Sequence, residues 1–173
     1  MYDPTIVAEP LKWLGESVGF WIQTVILGVS AGGGILIIRS RGRQEARRAT
    51  VDLIVQQNSD PDLNKAKCAI RAMHENHETN FAKHLQNHDS DEFKAILLVL
   101  NTYEFIGSGI RTHAFDEGVH KRLRCSSVIK DWEALDGFVA DFRIQKQKQT
   151  LFQDFEWLYE RWKKNPLKAD SRR

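Results

Sequence analysis

Four histidines recur along one predicted helix at spacings that could bind a metal ion. His74, His77, His84 and His88 fall within an arc of about 80° when successive residues are placed about 100° apart. Glu78 could add a carboxylate oxygen to the pair His74 and His77. The two histidine pairs are about 10 Å apart along the helix, so one ion cannot bind all four. Apolar residues share the same arc, so we expect structural or surface histidines and no metal. His74, His77 and Glu78 remain the weak metal candidates.

Two charged residues lie on an apolar side of the next predicted helix. Glu104 and Arg111 are two turns apart, and buried charges must be paired or neutralised. The structural interpretation is favoured: each pairs with a neighbouring helix, Arg111 with Asp116 or Asp131. The alternative is a polar ligand pocket, with Glu104 as an acid or a ligand and with Arg111, Asp116 and Trp132 as the other candidate residues.

Two glycines interrupt this same helix. Gly107 and Gly109 each cost about 1 kcal/mol relative to alanine inside a helix. Their presence indicates the close approach of another helix or of a ligand.

Motifs of known catalytic classes are missing from the chain. We find no Walker loop, HExxH, GxSxG or dinucleotide glycine motif. Cys68 and Cys125 are far apart in sequence, and in a reducing cytosol we expect both to be free thiols. The chain is therefore not expected to be an enzyme or to bind a cofactor.

An uncharged run near the start of the chain is long enough to cross a bilayer. Val18 to Ile38 spans 21 residues, and about 20 apolar residues suffice for a transmembrane helix. The segment before it is acidic, and Trp13, Phe20 and Trp21 lie near its first end, as in an interfacial aromatic belt. These features favour an uncleaved anchor over a signal peptide.

Basic residues follow this run at once. The cluster consists of Arg39, Arg41, Arg43, Arg47 and Arg48. Cytosolic flanks of membrane helices are enriched in such residues, which predicts an outside N-terminus and a cytosolic C-terminal domain. Contact with anionic lipid headgroups explains the cluster most simply. From Ala49 onward basic and acidic residues balance, so no nucleic-acid binding is expected.

The predicted anchor is rich in small residues. Gly28 and Gly32 form one small-xxx-small pair, and Ser30 and Gly34 form another. Such pairs let helix backbones approach closely in lipid, so we expect self-association through this face.

The remainder of the chain has the periodicity of helices, with almost no strand signal. We predict an all-α fold: one N-terminal transmembrane helix followed by a small cytosolic helical bundle. The expected segments are a short extracytoplasmic segment (1–17), the transmembrane helix (18–38), a basic juxtamembrane helix (39–60), a helical cytosolic domain (61–163) and a flexible tail (164–173).

Local signals set the expected helix bounds. The first helix continues to about Gln57, and Asp60 caps the next one. The helices that follow are predicted at about 61–85, at 91–112 with Asp89 or Ser90 as cap, briefly after Asp116, at 127–145 and at 151–162.

One stretch resembles a known family. The segment Leu100–Arg111 (LNTYEFIGSGIR), followed by Phe115-Asp116-Glu117, is similar to the signature of an uncharacterised bacterial and phage family, domain of unknown function 4760. Asp131-Trp132-Glu133 and the segment Phe155–Trp162 also resemble it. The resemblance implies a membrane helix followed by a small helical domain, and it implies no enzymatic activity.

These observations favour a non-enzymatic, single-pass, membrane-anchored interaction module that self-associates through its anchor. We expect it in a bacterial inner (plasma) membrane, with lipid, further copies of itself and a cytosolic protein as partners. One alternative is a ligand-gated membrane effector in bacterial or phage conflict. The other is a metal-dependent hydrolase built on the histidines.

Overall fold

The computed structural model describes residues 12–13, 16–75 and 81–167 of the chain. Side chains are described from Phe20 onward, except at positions 28, 31–39, 75 and 82. The chain divides into two compact units, residues 1–44 and 45–173.

The first unit contains a minimal strand pair and the beginning of a long helix. Strands β1 (Lys12–Trp13) and β2 (Glu16–Ser17) pair antiparallel. Helix α1 runs from Val18 to Ser59, so its residues belong to both units. The predicted continuation of the first helix to about Gln57 is confirmed.

The second unit consists of helices around one apolar core. After the last turns of α1 come α2 (Pro61–Glu75), a 3-10 helix (Phe81–Gln86), α3 (Asp91–Arg111), α4 (Glu117–Lys146) and α5 (Gln153–Lys164). The prediction of an all-α fold is confirmed, because the described strands comprise only two residues each.

Side-chain caps begin three of these helices. Asp60 accepts the amide of Leu63 at 3.0 Å, Ser90 accepts that of Phe93 at 3.1 Å, and Asp116 accepts that of Val119 at 2.9 Å. Each bond satisfies a backbone donor that the first helical turn leaves unpaired. The predicted cap at Asp60 is confirmed, and Ser90 rather than Asp89 caps α3.

Two predicted helix boundaries are wrong. The helices expected after Asp116 and from Ser127 are one helix, α4, because Cys125 and Val128 are both buried in the core and no break separates them. The helix expected at 61–85 ends as an α-helix at Glu75, and the chain at Phe81–Gln86 is a 3-10 helix.

Helix α3 is the centre of the core. Ile96, Val99, Leu100 and Ile106 have no exposed surface, and α3 packs against both α2 and α5. Among the described residues, α3 is the helix that could cross a bilayer by length and composition. Of its most apolar 18-residue stretch, 44% is buried within the protein. A core helix meets the same criterion, and part of the predicted anchor lies outside the residues with described side chains.

Candidate functional site

Glu104 caps a helix that lies far away in sequence. Its Oε2 atom accepts the backbone amides of Asp154 at 3.0 Å and Phe155 at 2.9 Å. The residue that precedes α5, Phe152, has φ 56° and makes no side-chain cap bond, so Glu104 replaces the missing local cap. A carboxylate at this end also interacts favourably with the helix dipole. Burial raises the pKa of Glu104, and the amide of Phe155 opposes this shift.

Arg111 binds the same end of α5. Its Nη1 atom donates to Asp154 Oδ1 at 2.7 Å, and its guanidinium lies 5.5 Å from the ring centre of Trp157. The expected partners, Asp116 and Asp131, are therefore wrong. The predicted pairing with a neighbouring helix is confirmed.

The two glycines of α3 mark close approaches by protein atoms. A Cβ atom on Gly107 would lie 2.3 Å from the backbone oxygen of Asp154. One on Gly109 would lie 2.2 Å from the ring of Phe115. The predicted approach of another helix is confirmed for Gly107, since Asp154 belongs to α5. At Gly109 the neighbour is Phe115, in the connection between α3 and α4, and not a helix.

The remaining two pocket candidates have structural contacts of their own. Trp132 packs edge-on against Phe155 with ring centres 4.8 Å apart, so Glu104, Arg111 and Trp132 all contact the first turn of α5. Asp116 is not with them: its Oδ2 atom accepts from Arg47 Nε at 3.0 Å. Its pKa is lowered, mainly by the hydrogen bond from the amide of Val119. The four residues therefore do not line a common pocket.

A buried polar pair in the core was not predicted. The Tyr103 hydroxyl donates to Asp131 Oδ2 at 2.6 Å, and both residues are buried, with 1% and 5% of their surface exposed. Burial, followed by the nearby Asp131 carboxylate, raises the pKa of Tyr103 well above its usual value. Lys67 of α2 lies 5.0 Å from the Tyr103 ring centre, and burial lowers the pKa of its amine.

A fully buried histidine lies nearby. His120 has no exposed surface, and neither ring nitrogen has a hydrogen-bond partner among the described residues. Its ring packs against Trp162 with centres 6.0 Å apart. Burial lowers the pKa of His120 to about 4, helped by the positive charges of Arg124 and Lys67. The imidazole is therefore neutral at pH 7. The burial of His120 could not be predicted from its sequence neighbours, because Lys121 and Arg122 are charged.

The predicted metal candidates do not form a described site. No group of three potential ligands within the described ranges could hold a metal ion. His74 is exposed, while His77 and Glu78 lie outside the described residues.

The predicted anchor residues are only partly described. Gly28, Ser30, Gly32 and Gly34 all belong to α1, where Ser30 is exposed and the side-chain environment of the others lies outside the description. The same holds for Arg39. Of the basic cluster, Arg41, Arg43, Arg47 and Arg48 are exposed.

Comparison with known proteins identifies the family. The family model described as "Domain of unknown function (DUF4760)" matches residues 20–162. The chain belongs to this family. No curated protein and no solved structure matches it.

Proposed function

We propose that this protein is a single-pass membrane protein whose helical domain, residues 61–163, is cytosolic and acts as a non-enzymatic interaction module. In this proposal residues 18–38 cross a bacterial inner membrane with the N-terminus outside. Copies associate through the small residues of the anchor.

The apolar surface of α1 supports this proposal most strongly. Ile22, Val25, Ile26, Leu27 and Val29 are all exposed, by 55–72%. Leu27 and Val29 point about 200° apart around the helix, so the apolar surface is not one stripe facing a single neighbour. A helix that is apolar on opposite sides requires an apolar environment all round, which a bilayer supplies.

The arginines give the proposed orientation. Arg41 and Arg43 are exposed and lie about 5–8 Å beyond Ile38 along the helix, which is the depth of the headgroup region. Each basic residue near an anionic leaflet contributes about 1 kcal/mol to membrane binding.

The contacts of the candidate residues support a non-enzymatic role. Glu104 and Arg111 both contact the N-terminus of α5, through the amide of Phe155 and the carboxylate of Asp154. They therefore favour a structural role over catalysis or ligand binding.

Two matched double variants test the anchor. Ile26→Arg with Val29→Arg places two charges in the proposed span, at about 2.5–3.5 kcal/mol each. Val51→Arg with Val55→Arg makes the same change at exposed positions of α1 beyond the span, 47% and 58% exposed. We expect the first to release the protein from membranes washed at high pH and the second to leave it in the pellet. Equal behaviour of the two variants, or a wild-type protein in the supernatant, would refute the anchor.

Self-association is tested by a separate pair of variants. Bulky side chains at Gly28 and Gly32 should block close helix approach in lipid, so Gly28→Ile with Gly32→Ile should abolish crosslinked oligomers in native membranes. Gly42→Ile is the control, because a Cβ atom there meets nothing within 4 Å. Unchanged oligomers in the double variant would show that the glycine face is not the contact.

A further inference from the structure

A pocket of about 510 Å³ lies between α2 and α4 in the second unit. Arg71 and His74 of α2 form one wall, and Ser126, Ser127 and Lys130 of α4 form the other. Its volume is within the usual range of small-molecule sites.

Two cations line this pocket without a salt bridge to any described residue. Arg71 and Lys130 are exposed, and neither forms an ion pair within the described part of the chain. They lie on different helices, one on each side of the pocket. The Ser126 and Ser127 hydroxyls on the α4 wall add neutral donors. An arginine fork, a lysine charge and hydroxyl donors together are the groups that bind a phosphate ester.

The two carboxylates of the pocket are already engaged. Asp131 accepts the Tyr103 hydroxyl at 2.6 Å, and Glu133 pairs with Lys163 at 3.0 Å. Lys163 offsets the charge of Glu133, whereas Asp131 keeps its negative charge because the Tyr103 hydroxyl is neutral. Arg71 and Lys130 therefore leave the pocket with an excess of one positive charge. Each carboxylate retains oxygen lone pairs, which can accept hydrogen bonds from hydroxyl groups of a ligand.

We propose that this pocket binds a phosphate monoester of a small polyol. The Arg71 guanidinium, the Lys130 amine and the serine hydroxyls bind the phosphate, and the Asp131 and Glu133 carboxylates accept from the polyol hydroxyls. This inference does not depend on the anchor or on self-association.

The test uses the full-length protein in phosphatidylcholine nanodiscs, with ribose 5-phosphate as the probe and ribose as the uncharged control. Calorimetry should show saturable binding of ribose 5-phosphate with Kd below about 1 mM, corresponding to about −4 kcal/mol. Ribose should not bind measurably. Discs that also contain phosphatidylinositol 4-phosphate distinguish the source of the ester. If this lipid competes with ribose 5-phosphate, the site is assigned to a lipid headgroup. If it does not compete, the site is assigned to a soluble ester.

Three variants locate the binding. Arg71→Gln and Lys130→Gln should each weaken binding at least about tenfold, as expected for loss of a charge-assisted contact. Ser126→Leu, at an exposed position, should fill the pocket without disturbing the core. Arg122→Gln removes an exposed arginine that does not line the pocket, and it should bind as the wild type does. No saturable binding of either ester, or equal binding by Arg71→Gln and Arg122→Gln with unchanged helical circular dichroism, would overturn the proposal.

Discussion

The carboxylate of Glu104, in the middle of α3, accepts the backbone amide of Phe155 in the first turn of α5 at 2.9 Å. A side chain 51 positions away in sequence thus supplies the cap that the chain before α5 lacks. This contact, with the Arg111–Asp154 pair beside it, explains why a charged residue lies on the apolar side of a central helix.

Removal of this cap should destabilise the domain. Glu104→Ala leaves the amides of Asp154 and Phe155 without their acceptor, so we expect a loss of about 1–2 kcal/mol in the free energy of unfolding. Glu104→Gln keeps an oxygen acceptor and should lose less. Urea unfolding measures both, with Glu160→Ala on the exposed side of α5 as control. A Glu104→Ala variant as stable as Glu160→Ala would contradict the cap.

Two glycines should respond to alanine in opposite ways. Gly107→Ala places a methyl group 2.3 Å from the backbone oxygen of Asp154, so α3 and α5 must separate at a cost of about 1–3 kcal/mol. At Gly137 in α4 a methyl group meets nothing within 4 Å, so Gly137→Ala should stabilise the domain by about 0.5–1 kcal/mol through helix propensity. Thermal unfolding of Gly107→Ala and Gly137→Ala gives the sign of each change in stability directly. A stabilising Gly107→Ala would show that the close approach is absent.

The stability of the domain should fall in mild acid because of His120. Since burial lowers its pKa to about 4, the unfolded chain binds a proton below pH 6.5 that the folded chain does not. The contribution of neutral His120 to the free energy of unfolding is therefore fully present above pH 6.5. It is lost as the pH falls towards 4, by about 2 kcal/mol at pH 5.

The variant His120→Leu isolates this contribution. Between pH 7 and pH 5 the variant should lose about 2 kcal/mol less of its free energy of unfolding than the wild type loses. Glu104, whose pKa burial raises, contributes in the opposite direction but equally in both proteins. His74→Leu controls for loss of an exposed histidine. Parallel pH profiles for wild type and His120→Leu would mean that His120 is not buried as described.

Thr50 connects the end of α1 to the start of α4. Its hydroxyl donates to Ala46 O at 2.7 Å and accepts the amide of Asp116 at 2.8 Å, and the residue is fully buried. Thr50→Val keeps the shape but leaves that amide unpaired, which should cost about 1–3 kcal/mol. Thr102→Val is the control, because among the described residues the Thr102 hydroxyl bonds only to its own helix, at Leu98 O. Equal stabilities of the two variants would refute the link.

The sequence predicted the features that depend on local chemistry. The cap at Asp60 and a cap at either Asp89 or Ser90 follow from residue types next to an apolar helix, and Gly107 indicated a close approach. The boundary expected at Ser127 is absent because burial of Cys125 and Val128 in one core outweighs a good capping residue.

Long-range partners could not be predicted in the same way. Arg111 pairs with Asp154, 43 residues away, and this choice depends on how α5 docks against α3. His120 has charged sequence neighbours, so only its packing against Trp162 reveals its burial. The Arg71–Lys130 pocket likewise depends on how α2 and α4 are placed.

The proposed membrane insertion and orientation of the chain are tested most directly by labelling Cys68. This thiol is free and exposed, whereas Cys125 is buried, and a Cys68→Ser variant measures any labelling of Cys125. A membrane-impermeant maleimide should not label Cys68 in sealed spheroplasts, should label it after lysis, and should label an Asp3→Cys, Cys68→Ser variant from outside. Labelling of Cys68 in sealed spheroplasts would contradict the proposed topology.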